Sequence, residues 1–258
     1  MPTIHPTAQV SKEAELADDV SVGPFTVIEG PVKLAAGVKI GGHAWISGRT
    51  SIGEASSVGW GAVIGADPQD LSFDPATDSG VEIGPRNTLR EYVTVHRGSK
   101  PGTNTVMGEG NLLMTGVHLA HDVRLGDGNV LANSVLLAGH VHVGNKAFLG
   151  GGAGFHQFIK VGDLAMVQGL TAVSQDMPPF CTAYGINQLA GLNTVGLRRS
   201  GFSADERAAI KRAYKLVFLS GLTREAALAE AATQDWPEPA ARFLAAISSP
   251  SKKGVMSP

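Results

Sequence analysis

Cysteine is almost missing from this 258-residue chain: Cys181 stands alone. No disulfide can form within the chain, and a reducing compartment is expected. Cys181 follows Pro178-Pro179-Phe180, away from every histidine cluster, and is read as structural and not as a nucleophile. Aromatic residues make up only 6% and charged residues 17%, with a formal net charge of −2, which argues against nucleic-acid binding. Nowhere do 18 apolar residues run together, so no stable membrane insertion is expected. Met1 to His5 lack a basic stretch followed by an apolar run, so no signal peptide is expected and a cytoplasmic location is.

Glycine, by contrast, is plentiful at 33 residues, and an internal period explains it. Stepping by six from Ile4 meets Val10, Leu16, Val22, Ile28, Leu34, Ile40, Ile46, Ile52, Val58 and Ile64. The frame restarts at Ile83, Leu89 and Val95, then runs from Met107 through Leu113, Leu119, Leu125, Leu131 and Leu137 to Val173. The residue two before each aliphatic is mostly small or β-branched, as at Val20, Ala44, Val117 and Ala165. Both are expected to point inward, with an outward residue between them. The residue after the aliphatic is often glycine, as at Gly23, Gly41, Gly59 and Gly126, and is read as a corner needing unusual backbone angles.

Each hexad therefore reads as a short strand and a corner, and three hexads close one triangular coil of a parallel β-helix. Period alone leaves the hand of the coil open. Two stretches break the frame, near 66–81 and 98–105, and are expected to protrude as loops, where binding residues tend to sit. The β-helix is expected over residues 1–190 and a small C-terminal α-helical domain over 191–258. The second part has a capping box at Ser203–Glu206, a helix with Ile210, Tyr214, Val217 and Phe218 on one face, and a stop at Gly221. A second helix is capped by Thr223, and a third follows Pro237 and Pro239 and ends near Ile247. The tail from Ser248 to Pro258 is expected to be disordered.

In an 18-residue coil, residues 18 apart stack. His121, Gly139 and Gln157 then form one column, Asp122 lies beside His140, and His156 is adjacent. The patch should face outward from a corner. Histidine is suited to take a proton near neutral pH, a carboxylate can orient it, and a glycine amide can approach an oxyanion. With no nucleophile evident, direct transfer to a hydroxyl or amine fits better than a covalent intermediate. His5, His43 and His142 are read as solvated surface residues.

Several motifs carry a resemblance: His118-Leu119-Ala120-His121-Asp122, Leu137-Ala138-Gly139-His140, His156-Gln157-Phe158, His96-Arg97-Gly98, Gln69-Asp70-Leu71 and Gly196-Leu197-Arg198-Arg199 before Gly201-Phe202-Ser203. Over essentially its whole length the chain resembles the UDP-N-acetylglucosamine O-acyltransferases of lipid A biosynthesis, within the hexapeptide-repeat transferases. The resemblance implies an all-β left-handed parallel β-helix, an exception to the usual crossover hand. It also implies a homotrimer, with the site in the cleft between subunits. His121 becomes the general base, with Asp122 supporting it, Gly139 the oxyanion donor and His140 a further catalytic-site residue that positions the sugar and acyl groups. Asp70, His96 and His118 position the sugar and acyl groups, and His156, Gln157, Asn193 and Arg199 meet the nucleotide. Gly169 leaves room for a long acyl chain. The substrates are UDP-N-acetylglucosamine and an (R)-3-hydroxyacyl-acyl carrier protein, whose phosphopantetheine arrives with the substrate; no cofactor and no metal are expected.

Ser72 stands where the family often has lysine, and Val195 where it has an acidic residue, leaving a 3-hydroxyl or a 3-amino acceptor open. A basic stripe of Arg207, Lys211 and Lys215, with Arg198, Arg199 and Arg212 nearby, is expected to steer the acidic carrier protein. Three rival readings remain: an acyltransferase acting on another sugar nucleotide or amine, a zinc enzyme using His118, His121 and a third histidine as in β-helical carbonic anhydrases, and a solenoid that only scaffolds partners.

Overall fold

The computed structural model describes all 258 residues. Three sheets of eleven, nine and eight strands, parallel except for the last strand of the first, form the walls of a triangular coil. Sheet one starts at Thr3–Ile4, sheet two at Gln9–Val10 and sheet three at Glu15–Leu16, and each strand pairs with the one a full coil later. The registers Ile4↔Val22, Val10↔Ile28 and Leu16↔Leu34 are the 18-residue step. The chain is a left-handed parallel β-helix with a small helical part at its C-terminal end.

Every strand is too short to be stable alone, so the solenoid depends on its stacked interior. Ala44 and Ile46 are buried while Trp45 between them is exposed, and Val117 and Leu119 are likewise buried on either side of a half-buried His118. The buried aliphatics form one continuous stack, each worth about 1.5–3 kcal/mol of transfer free energy. A ladder of buried asparagines pins one corner. Asn87 Oδ1 accepts the Asn111 backbone N–H at 2.8 Å, Asn111 Oδ1 accepts that of Asn129 at 2.8 Å, and Asn129 Oδ1 accepts that of Ala147 at 2.8 Å.

The corner chemistry differs from expectation. The left-handed residue lies three after the aliphatic, at Phe25, His43, Tyr92, Asp122, His140 and Phe158, with φ between 55° and 69°. The glycines one after the aliphatic are needed for close approach. A Cβ on Gly59 would lie 2.5 Å from the Arg90 carbonyl carbon of the next coil, and one on Gly53 would lie 2.5 Å from that of Gly84.

The hexad frame is interrupted twice. The register Ile52↔Ile83 and the register Ile83↔Met107 both exceed one coil, and the surplus leaves as loops over 67–79 and 97–103. Ala66, Gly80 and Val81 belong to strands, as do Asn104 and Thr105, so both loops are slightly shorter than expected.

A β-hairpin, Cys181–Tyr184 with Gln188–Leu192, closes sheet one. Four helices follow: α1 (Thr194–Arg199), α2 (Ala204–Leu219), α3 (Arg224–Ala231) and α4 (Glu238–Ser248). The Ser203 capping box and the Thr223 cap form as expected, and α1 was not anticipated. The expected boundary at 190 falls inside a strand, and one apolar core runs through both parts, so the helices are packed onto the solenoid. The tail is ordered, contrary to expectation. Asp176 N–H donates to Gly254 O at 2.8 Å, Met256 N–H donates to Asp176 O at 2.9 Å, and Val255 and Met256 are buried.

Candidate active site

Three successive rungs of sheet two build the site. His118–Leu119 pairs with Leu136–Leu137, which pairs with Gly154–Phe155. At the corner that follows, the side chains of His121 and Gln157 flank Gly139, and together with Gln69 from the longer loop they line an open groove of about 660 Å³. His121 Nδ1 lies 2.9 Å from Asp122 Oδ2. A carboxylate only accepts, so Nδ1 carries the proton and Nε2 is left with its lone pair. His140 meets the His121 ring edge-on at 5.1 Å, its Nε2 lies 3.7 Å from Asp122 Oδ2, and it stacks on Phe158 at 4.5 Å.

Asp122 does not face outward as expected; it is 8% exposed. The shorter loop folds over it, and Ser99 N–H donates to Asp122 Oδ2 at 3.1 Å, while Asp122 N–H donates to Thr105 Oγ1 at 2.8 Å. Burial pushes this carboxyl up, but hydrogen bonds from Ser99, His121 and Thr103 outweigh it and hold the group below the usual carboxylate range. An ionised carboxylate is thus fixed behind the imidazole.

Gly139 has a steric reason to be glycine. A Cβ there would sit 2.6 Å from both Nε2 and Cε1 of His121. Its N–H is not used by the coil, whose bonds at this corner run from Ala138 N–H to Phe155 O and from His140 N–H to His121 O.

His118 and His96 extend the site along the sheet. His118 Nδ1 is 2.7 Å from Thr94 Oγ1, and the two imidazoles meet edge-on at 4.9 Å. His96 is buried with Nδ1 unpartnered; burial first, then the neighbouring His118 and His121, push its pKa down to about 4. Burial also lowers His118, and lowers His140 against the opposing pull of Asp122. Asp70 is exposed on the longer loop, where its Oδ1 accepts from Ser72 N–H at 2.9 Å and Ser72 Oγ at 2.8 Å. These bonds, with a smaller contribution from His121 nearby, hold its carboxyl low. Ser72 therefore orients Asp70, where a lysine would add a charge. His156 is exposed, its Nδ1 3.2 Å from Gln157 O.

The remaining expected residues are not brought to this groove within one chain. Asn193 and Arg199 line a separate cavity of about 680 Å³ against Phe148 and Met166 of sheet one. Asn193 is occupied as the cap of α1, accepting Gly196 N–H at 2.9 Å and donating to Leu164 O at 2.9 Å. Gly169 lies at the corner between sheets one and two, where a Cβ would meet Gly151 O at 3.2 Å. On α2, Arg207 is tied to the carbonyl of Phe202, while Lys211 and Lys215 are exposed without a carboxylate partner. His121, Asp122 and His140 are the one cluster whose donor atoms all lie within 4.8 Å, and His118, bonded to Thr94, does not join it.

Sequence reasoning missed Thr94, Ser99 and Phe158 as supports. Phe158 follows from coil arithmetic, 18 after His140. Nothing in the sequence shows where the loop carrying Ser99 lands.

The fold has close counterparts among solved structures. The UDP-N-acetylglucosamine O-acyltransferase of Moraxella catarrhalis is 39% identical with a TM-score of 0.92, covering 98% of this chain and 99% of its own. The UDP-N-acetylglucosamine acyltransferase of Francisella novicida is 34% identical with a TM-score of 0.93, covering 99% and 94%. Fold and groove together define a hexapeptide-repeat acyltransferase. Residues 176–256 match the family model of Udp N-acetylglucosamine O-acyltransferase, Domain 2. The acyl-[acyl-carrier-protein]--UDP-N-acetylglucosamine O-acyltransferase of Janthinobacterium sp. (strain Marseille) is 45% identical over 247 residues, 95% of this chain and 94% of its own. The chain belongs to the acyl-[acyl-carrier-protein]–UDP-N-acetylglucosamine O-acyltransferase family.

Proposed function

We propose that this chain moves an (R)-3-hydroxyacyl group from acyl carrier protein to the 3-position of UDP-N-acetylglucosamine, the opening step of lipid A synthesis, in the cytoplasm. The observation that carries the reading is the His121–Asp122 pair at 2.9 Å, with the imidazole edge set against Gly139 at the groove. His121 Nε2 takes the proton of the sugar hydroxyl as its oxygen attacks the thioester carbonyl carbon. The C–O bond forms, the carbonyl electrons move to oxygen, and Gly139 N–H stabilises that oxyanion. Collapse breaks the C–S bond, and the proton on His121 passes to the departing pantetheine sulfur. Asp122 keeps its charge throughout and stabilises the imidazolium. The thioester is already activated, so the steps written here need no further cofactor.

The reading includes a homotrimer. Its support is that the base groove and the Asn193–Arg199 cavity lie on different faces of one solenoid, as adjoining halves from two copies would. The reading places a long acyl chain past Gly169, an exposed corner residue without a side chain. The test is mass spectrometry of products from a mixture of acyl-carrier proteins, offered the 3-hydroxyl and 3-amino sugar nucleotides together. A 3-O-acylated nucleotide is expected. Acylation of the amine alone would move the acceptor assignment, and no acyl transfer to either would end the proposal.

A further inference from the structure

A second polar cavity, of about 310 Å³, lies on the far side of the His140–Phe158 stack from the acyl groove. Its floor is the outer face of sheet three, where Arg124, His142 and Lys160 stand in register on consecutive rungs, about 4.8 Å apart. Its outer wall is the C-terminal tail at Pro250, Ser251 and Lys252, held in place by the Asp176 bonds to Gly254 and Met256.

Lys160 and Lys252 line the cavity against a single carboxylate, Asp176. None of Lys100, Arg124, Lys160 and Lys252 has a carboxylate oxygen within 4.0 Å. Asp176 Oδ1 accepts the Lys160 backbone N–H at 2.7 Å. His142 is pushed below its ordinary value by burial, then by Arg124, Lys160 and His140. Two lysines without an ion pair beside one carboxylate leave this concave site net positive, a field that favours an anion.

We propose that this cavity binds a phosphate ester anion, gripped by Lys160 and Lys252 beside His142. The cavity lies next to the acyl groove, because His140 in its wall meets the His121 ring of the groove edge-on at 5.1 Å, so a phosphate lodged here would tether a substrate whose reacting end lies in the groove. On the proposed function, two substrates carry such a group: the phosphodiester of the carrier's prosthetic arm and the diphosphate of the sugar nucleotide.

The test is calorimetric titration of the full chain with inorganic pyrophosphate, which needs no turnover and so stands whether or not acyl transfer is confirmed. A dissociation constant tighter than about 1 mM is expected, weakened at least tenfold in a paired K160Q/K252Q variant and unchanged in a K12Q control. The single K252Q variant, on the exposed tail, gives the same direction if the pair folds poorly. The pKa of His142, followed by NMR, should rise when pyrophosphate binds. Absence of binding, or equal affinity in wild type and the lysine variants, overturns the proposal. Steady-state kinetics then names the source: a raised KM for acyl carrier protein assigns the arm's phosphodiester, and a raised KM for the sugar nucleotide assigns its diphosphate. Pyrophosphate binding lost with neither KM changed assigns free phosphate.

Discussion

His121, Asp122 and Gly139 act as one unit, because each fixes what the next can do. His121→Ala is expected to lower turnover by roughly 10²–10⁴, the usual worth of a general base, with an unchanged melting temperature; His5→Ala is its matched exposed control. Normal turnover in a folded His121→Ala protein would remove the base. Gly139→Ala is sharper, since its Cβ would lie 2.6 Å from the His121 ring and must displace it. Turnover should fall while the fold survives, and a crystal structure should show the His121–Asp122 contact lengthened. Position 139 was legible in the sequence as a stacked neighbour of His121, but its steric role was not, because spacing gives no distance. The same limit explains the corner glycines. Their spacing was plain, but only coordinates separate a need for positive φ from a need for close approach. His96 adds a pH effect. Its folded pKa is about 4 against an ordinary 6.5, so between those values the unfolded chain binds more protons and stability rises with pH. Melting temperature should therefore fall as pH drops from about 6.5 toward 4, and less steeply in His96→Gln; parallel curves for the two proteins would exclude His96 as the cause.

Among the elements, the strands were the most legible and the loops and tail the least. Strand positions repeat, so each hexad corroborates the others. A loop has no period, and the landing of Ser99 on Asp122 depends on tertiary contacts alone. The tail read as disordered because Ser, Lys and Pro dominate it, yet Val255 and Met256 are enough to dock it on the last coil. On α2 the structure narrows the carrier-binding stripe: Arg207 is held by the Phe202 carbonyl, which leaves Lys211 and Lys215 as free charges. Reversing both to Glu should raise the apparent KM for acyl carrier protein and leave that for the sugar nucleotide nearly unchanged. The buried face of α2, with Ile210, Tyr214 and Val217, is untouched by these changes. Added salt should reproduce the effect in wild type, because the Debye length shortens from about 8 Å at 0.15 M to about 3 Å at 1 M. If carrier KM is indifferent to both salt and charge reversal, the stripe is only a solvated face.

Over the whole molecule, the division of the expected site between two faces is the strongest argument about assembly. The base groove opens on sheet two and its following corner, and Arg199 lines a cavity on sheet one. A rigid solenoid cannot fold one face onto another, since its parallel registers are continuous from the first coil to the last. One chain therefore cannot present His121 and Arg199 to the same small ligand. A cyclic trimer can, because its heterologous contacts set one face of each copy against a different face of the next. Light scattering should accordingly give a trimeric mass for active protein, but mass alone does not show that sites are shared. Mixing does. His121→Ala and Arg199→Ala chains, each inactive or severely impaired alone, are unfolded together and refolded as mixed trimers. A working site then needs an intact His121 from one chain and an intact Arg199 from its neighbour, which random assembly supplies at roughly a quarter of the sites. Activity should recover to about that fraction of wild type. If both residues served the ligand from the same chain, every site in the mixture would carry one lesion, and no recovery would appear however the chains were combined.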